Sequence, residues 1–187
     1  MSALPTRRTL PLVAALLAAF AGCRSAPPDP AAEGPVRVVG DVAHPTAWNP
    51  ESIDARFGDR VRPVQHVTKR GDHHSLRAVA VADLLAASEP AIDGDRKNHE
   101  LAFAVVARAR DGYTVTYSYE EIVPYGQEPT IFLAFAEEDG GPLPDRFAPA
   151  RIVCTGPKNS SRTPHGIVEI EVVDLARPAP ERRSAID

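Results

Sequence analysis

The chain has 187 residues, of which 43% are hydrophobic and 25% charged, the composition of an ordinary globular protein with one folded domain. A formal net charge of −4, without a Lys/Arg run that could follow a phosphate backbone, argues against nucleic acid as a partner. The prolines, 19 in all, gather near the two ends and in turns, which predicts extended segments on either side of the domain.

Residues 1–22 have the pattern of a signal peptide. Arg7 and Arg8 give it a positively charged start, and an apolar stretch follows over residues 10–20. This stretch is shorter than the roughly 20 residues that a membrane-spanning helix needs. Two small residues then precede Cys23, in an order that resembles a bacterial lipobox, whose cysteine is acylated. The resemblance implies a periplasmic or cell-envelope lipoprotein, anchored to a membrane through Cys23.

Two alternatives are open for this segment. Phe20 replaces the leucine usual in a lipobox, and ordinary cleavage after Ala21 would instead release a soluble secreted protein. Arg7 and Arg8 also resemble a twin-arginine signal, which exports folded proteins, although two arginines can equally be a plain positively charged start.

The rest of the chain divides into a Pro/Ala-rich tether over residues 23–35, a folded domain over 36–175 and a disordered tail over 176–187. The tether and the tail offer little apolar surface to bury. If Cys23 is lipidated, Cys154 has no partner for an intrachain disulfide, and its apolar surroundings are typical of a small buried side chain.

Strand patterns dominate the folded domain. Asn49 and Pro50 are a favoured N-cap and first residue for a helix over 50–57, and a second helix is predicted over 81–88. Asp111 and Gly112 mark a turn between two strands. The mixture predicts an α+β domain, a β-rich mixed sheet with two or three short helices, and the sequence contains no glycine-rich phosphate loop. Alternating or continuous apolar runs predict strands over 36–42, 60–68, 101–107, 113–117, 130–135, 151–155 and 166–173.

Four parts of the domain follow one another in a characteristic order. They are Val36–Val42 with His44–Pro45, Leu76–Leu85, Ala109–Tyr117, and Glu138–Pro144 with Ala148–Val153. Together they resemble the molybdopterin-binding oxidoreductase domain of the sulfite-oxidase type, particularly its small exported relatives. The resemblance spans nearly all of residues 36–174, and it implies that family's fold and a molybdopterin cofactor.

The sequence departs from this family at the metal. Enzymes of the family bind molybdenum through a cysteine in the loop after the second strand, and the matching stretch Val64–His74 contains none. The resemblance therefore implies a binding module or a non-enzymatic relative. Two alternatives are an oxidoreductase that holds its cofactor without a thiolate ligand, and a structural envelope protein that binds a protein or a glycan.

Two basic groups are candidates for holding an anion. In the resembled family, basic loop residues near these places hold the anionic pterin phosphate, and arginine suits bidentate contacts to phosphate. The expected ligand is a small anion, and the alternative is ordinary surface charge. One group contains Lys69, Arg70 and Arg77, the other Lys158, Arg162 and His165, and the predicted cofactor-binding residues are Lys69, Arg70, His73, Arg77, Lys158 and Arg162.

His66, Asp72, His73 and His74 have the side chains that bind zinc or another transition metal. Neighbouring residues of a strand point to opposite faces, so His73 and His74 would not normally serve one site. We therefore predict solvated loop histidines here and name no metal ligand.

Replacement of Cys23 by serine is expected to abolish lipid attachment, because the cysteine carries the acyl group in the lipobox pattern. The measurement is labelling of the exporting bacterium with a radioactive fatty acid, followed by immunoprecipitation. Cys154→Ser is the matched control and should keep the label. Label retained by Cys23→Ser would contradict lipidation at this residue, and an unlabelled wild-type protein would favour cleavage after Ala21.

Overall fold

The computed structural model describes residues 35–68, 70–155 and 162–177. Within these ranges the chain forms strands and short helices, and every helix is too short or too polar to cross a bilayer. The elements are β1 (Val36–Gly40), β2 (Thr46–Trp48), α1 (Pro50–Phe57), β3 (Arg62–Val67), β4 (His73–Ala80), α2 (Val81–Ser88), a 3₁₀ helix (His99–Ala102), β5 (Phe103–Ala109), β6 (Thr114–Ser118), α3 (Tyr119–Ile122), β7 (Ile131–Glu137), β8 (Arg151–Cys154) and β9 (Ile167–Asp174).

The described strands form two sheets. One has the order β2-β1-β9-β5-β6, with β1 parallel to β9 and the other pairs antiparallel. The other is antiparallel throughout, with the order β3-β4-β7-β8. Strand β1 lies at the start of the domain and β9 at its end, and the two are hydrogen-bonded neighbours. The sheet therefore joins the two ends of the domain. The α+β prediction is confirmed.

The four-stranded sheet is buried on both faces. Successive residues of a strand point to opposite faces, and Leu133 and Ile152 accordingly lie in the main core, which also contains residues of the five-stranded sheet. Their neighbours Phe132 and Val153 lie in a second, smaller cluster on the other face. The segment before β8 covers that second face with the buried side chains of Leu143 and Phe147.

Helix α1 begins as its sequence predicts. The Asn49 side chain accepts a hydrogen bond from the backbone N–H of Ser52, and the Ser52 hydroxyl accepts one from the Asn49 N–H, which completes a capping box behind Pro50. Helix α2 spans the predicted residues 81–88. The predicted strands are also present with slightly shifted ends.

Strand β4 is the main difference from the sequence prediction. His73 and His74 were expected in a loop, but they begin this strand, because His73 pairs with Val67 and His74 with His66 of β3. The register between β4 and β7 then shifts by one residue between Arg77 and Ala78. Such a bulge changes which face the following side chains occupy.

Replacement of Asn49 by alanine is expected to lower the free energy of unfolding by about 1 kcal/mol, because helix α1 loses its N-cap. Urea denaturation of the purified domain measures the change. Gln127→Ala, at an exposed position outside the helices, should change the stability by less than about 0.5 kcal/mol. Equal stability of Asn49→Ala and wild type would show that α1 does not need its cap.

Candidate functional site

A cleft of about 610 Å³ lies at one end of the four-stranded sheet. This volume falls within the range of about 300–1,000 Å³ typical of small-molecule sites. The walls combine cationic, aromatic and apolar side chains. They are formed by His66, Val67, Thr68, Arg70, Asp111, Tyr113, Arg146, Phe147, Arg151, Thr163, Pro164 and His165.

The pairing of β3 with β4 brings two histidines to this end of the sheet. His66 and His74 lie directly opposite each other in the ladder, and their rings stack with centroids 6.4 Å apart. Both share a face with the apolar residues two positions along, Val64 and Leu76, which belong to the smaller cluster. The two histidines therefore lie at the edge of the apolar cluster, on the same face of the sheet.

The aromatic ring of Phe147 lies at the centre of the basic groups. The guanidinium carbon of Arg151 lies 4.1 Å from the ring centroid and that of Arg146 lies 4.6 Å from it, both within the range of cation–π contacts. The ring centroids of three histidines lie within 6.2 Å of it. These histidines are His66, His74 and His165.

Arg151 is a buried cation that has no carboxylate partner among the residues that the structure describes. Arg151 is the first residue of β8, and its side chain lies on the same face as that of Val153. The residue is only 3% exposed. Its Nη2 donates a weak hydrogen bond to the Thr163 carbonyl at 3.4 Å, while Nε and Nη1 have no hydrogen-bond partner within residues 35–68, 70–155 and 162–177. Burial and the charge of Arg146 lower the pKa of Arg151 to about 10, so it is still charged at neutral pH. A buried, poorly paired charge costs folding free energy.

Most of the other arginines in the described residues are neutralised by carboxylates. The three arginines of the cleft, Arg70, Arg146 and Arg151, have no such ion pair within residues 35–68, 70–155 and 162–177. The cleft thus concentrates positive charge on a protein whose net charge is −4. The ion pairs elsewhere are Arg37–Glu169, Arg60–Asp83, Arg62–Glu128, Arg77–Asp54, Arg108–Glu171, Arg162–Glu121 and Arg177–Asp41.

These cations also act on His66. Burial of the ring, followed in size by the charges of Arg151, His74 and Arg146, lowers the pKa of His66 to about 4. His66 is therefore neutral at neutral pH. His74 has a carboxylate beside it, because the shifted register of β7 brings Glu137 to 3.6 Å from its Nδ1.

The predicted turn at Asp111 and Gly112 is confirmed, and it forms part of the rim. Gly112 has a φ of +85°, which favours glycine, and the Asp111 carboxylate accepts a hydrogen bond from the Tyr113 N–H. The turn places Asp111 and Tyr113 in the wall of the cleft. Asp111 is the acidic residue among the described groups that line it.

The structure separates the cofactor-binding residues that the sequence suggested. Arg70 lines the cleft, but His73 is exposed on the opposite face of β4 from His74. Arg77 is bound to Asp54 of α1, and Arg162 is bound to Glu121 and lies over the ring of Tyr117. Lys69 and Lys158, and also the proposed lipidation site Cys23, lie outside the described residues.

Sequence reasoning missed Arg146, Phe147 and Arg151. The sequence could have indicated Arg151, because this residue starts an apolar strand. The alternation of side chains along a strand places it on the same buried face as Val153. The positions of Arg146 and Phe147 carry no periodic pattern, because they lie in the irregular segment before β8.

The cleft does not fit a metal held through sulfur. Cys154 is the free thiol of the described residues, and it does not line the cleft. Its Sγ donates to the Arg162 carbonyl, and burial raises the pKa of the thiol, which favours the protonated form over a thiolate ligand. The described chain contains no group of three or more His, Cys, Asp or Glu side chains arranged to hold a metal ion.

No protein-family model and no curated protein matches this chain. Among solved structures, the chain is similar to the sulfane dehydrogenase SoxCD from Paracoccus pantotrophus, with 16% identity and a TM-score of 0.49. The match covers 77% of this chain and 39% of that one, so the chain spans about two fifths of its neighbour's length.

Replacement of Arg151 by methionine is expected to raise the free energy of unfolding by about 1 kcal/mol, because a buried charge is replaced by an apolar side chain. Since burial depresses the pKa of Arg151, the cost of its charge applies at every pH below about 10. Urea denaturation near neutral pH measures the difference.

Arg162→Met is the contrasting variant and should lower the stability, because it leaves Glu121 without its partner. A loss of stability in Arg151→Met comparable to that in Arg162→Met would mean that the contact with Phe147 outweighs the buried charge.

Proposed function

We propose that this protein is an exported binding protein whose cleft takes a small molecule carrying an oxyanion, such as a sulfate or a phosphate ester. The observation that carries the proposal is the buried guanidinium of Arg151, which has no carboxylate partner among the described residues and lies in the wall of the cleft. An anion in the cleft would offset the charge that Arg151 places there.

The other walls support a ligand larger than a bare oxyanion. Arg70 and Arg146 add positive charge, and arginine is suited to phosphate and sulfate groups. Phe147, Pro164 and Val67 supply apolar surface for an organic body, and the cleft volume exceeds that of a free sulfate ion. An organic sulfate or phosphate ester fits both kinds of wall.

The start of the sequence supports a location outside the cytoplasm. The signal pattern of residues 1–22 and the lipobox-like order at Cys23 favour a lipoprotein held at a membrane surface. The domain would then present its cleft to ligands of the cell envelope.

The phosphate of a pterin cofactor is one oxyanion that such a cleft could accept. The molybdenum of that cofactor does not fit the described residues, because the protonated thiol of Cys154 lies outside the cleft. The proposed role is therefore binding, without a redox step.

Inorganic sulfate is the simplest probe of the cleft. Wild-type protein is expected to bind it in a calorimetric titration, and to gain about 1.4 kcal/mol of unfolding free energy when sulfate is present at ten times its Kd. Arg151→Met should lose both effects, because the buried cation is removed. Potassium chloride at equal ionic strength separates binding from a general salt effect.

Arg37→Met is the matched control, because Arg37 is paired with Glu169 on the other sheet, outside the cleft. It should bind sulfate like the wild type. Sulfate that binds Arg151→Met as well as wild type, or that binds neither protein, would contradict the proposed function. Protein purified from its native host should also be examined for molybdenum and pterin fluorescence, since one tightly bound molybdenum per chain would refute a purely binding role.

A further inference from the structure

We propose that His66 takes up a proton when an anion binds in the cleft, so that the affinity for the anion rises as the pH falls. This inference rests on the proposed anion-binding function and adds a regulatory property to that same site. It follows from the position of a histidine among arginines that have no carboxylate partner in the described part of the chain.

Positive and neutral groups face His66 from each element packed against it. Arg151 approaches it from β8, His74 from β4, and Arg146 from the segment before β8. The edge of the Phe147 ring closes the space between them, with its centroid 6.0 Å from that of His66. The remaining titratable or charged groups of the cleft wall are Arg70, Asp111, Tyr113 and His165.

Without an anion, this arrangement keeps the imidazole neutral. The pKa of His66 is lowered to about 4, from an ordinary value of about 6.5 in an unfolded chain, first by burial and then by the positive charge of Arg151. The unfolded chain therefore binds a proton between these two values while the folded protein does not. The folded protein loses stability as the pH falls through that window.

A bound anion would raise the pKa of His66 again. An opposite charge within about 4–6 Å shifts the pKa of a neighbouring group by about 1–3 towards its charged form. For His66 this would bring protonation to between about pH 5 and about pH 7. Protonation gives the imidazole a second N–H donor and a positive charge, so His66 would bind the anion more strongly than the neutral ring can.

The other two histidines around Phe147, His74 and His165, are less suited to this role. His74 lies 3.6 Å from the Glu137 carboxylate, so a negative charge accompanies it whether or not an anion is bound. His165 is exposed to solvent, which screens its interaction with the ligand. His66 is partly buried and next to Arg151, and therefore responds most strongly to a charge placed between them.

Calorimetric titration with inorganic sulfate tests the coupling, because sulfate keeps its charge across the working range. Titrations at about pH 5 and about pH 7.5, each in two buffers of different ionisation enthalpy, give the affinity and the number of protons taken up. We expect the wild type to bind sulfate about tenfold more tightly at the lower pH and to take up a fraction of a proton approaching one.

His66→Asn should retain binding at the higher pH and lose the pH dependence, with less than about a twofold difference between the two conditions. His73→Asn is the matched control, since it removes an exposed histidine on the opposite face of the neighbouring strand, and it should behave like the wild type. His66→Gln provides a second variant if His66→Asn does not fold, as judged by circular dichroism.

The outcomes separate the two proposals. Sulfate binding with equal affinity at both pH values, or full proton uptake in the folded His66 variants, would overturn the proton coupling and leave the anion site in place. An absence of sulfate binding at either pH would refute the anion site itself, and the coupling with it.

Discussion

The charge of Arg151 is the constraint around which the rest of the site is arranged. An arginine that is only 3% exposed is stable only where something offsets its lost hydration, and here the ring of Phe147 at 4.1 Å and one weak hydrogen bond supply that contribution in part. Arg146 lies against the same ring and increases the repulsion. The anionic ligand proposed for the cleft would offset this charge.

The fold explains why the side chain of Arg151 is fixed in this position. The four-stranded sheet packs against the main core on one face and is covered on the other by Leu143 and Phe147. Close-packed apolar residues on both faces resist the movement by which Arg151 could reach solvent. The cleft lies where this packing ends, so Arg151 combines a close-packed base with an open side, which suits a preorganised binding site.

The same arrangement links binding to protonation. Cations that attract an anion also repel a proton from His66, and an anion that neutralises them removes this repulsion. Anion affinity and imidazole basicity are thus two consequences of one local electric field. A histidine held in this way would respond to pH in the range just below neutrality.

The sequence by itself determined the elements whose signals are local. The cap at Asn49, the helix over 81–88, the turn at Asp111 and Gly112 and the apolar strands follow from neighbouring residues, and the balance of strands and short helices indicated the α+β class. Only the tertiary structure decided the site, because its members are far apart in the chain. His66 lies opposite His74 through strand pairing, Phe147 reaches both from an irregular segment, and whether an arginine is neutralised depends on distant carboxylates. The sequence predicted Arg77 and Arg162 as anion ligands, but in the folded chain each has a carboxylate partner. Arg151 has no such partner within the described residues.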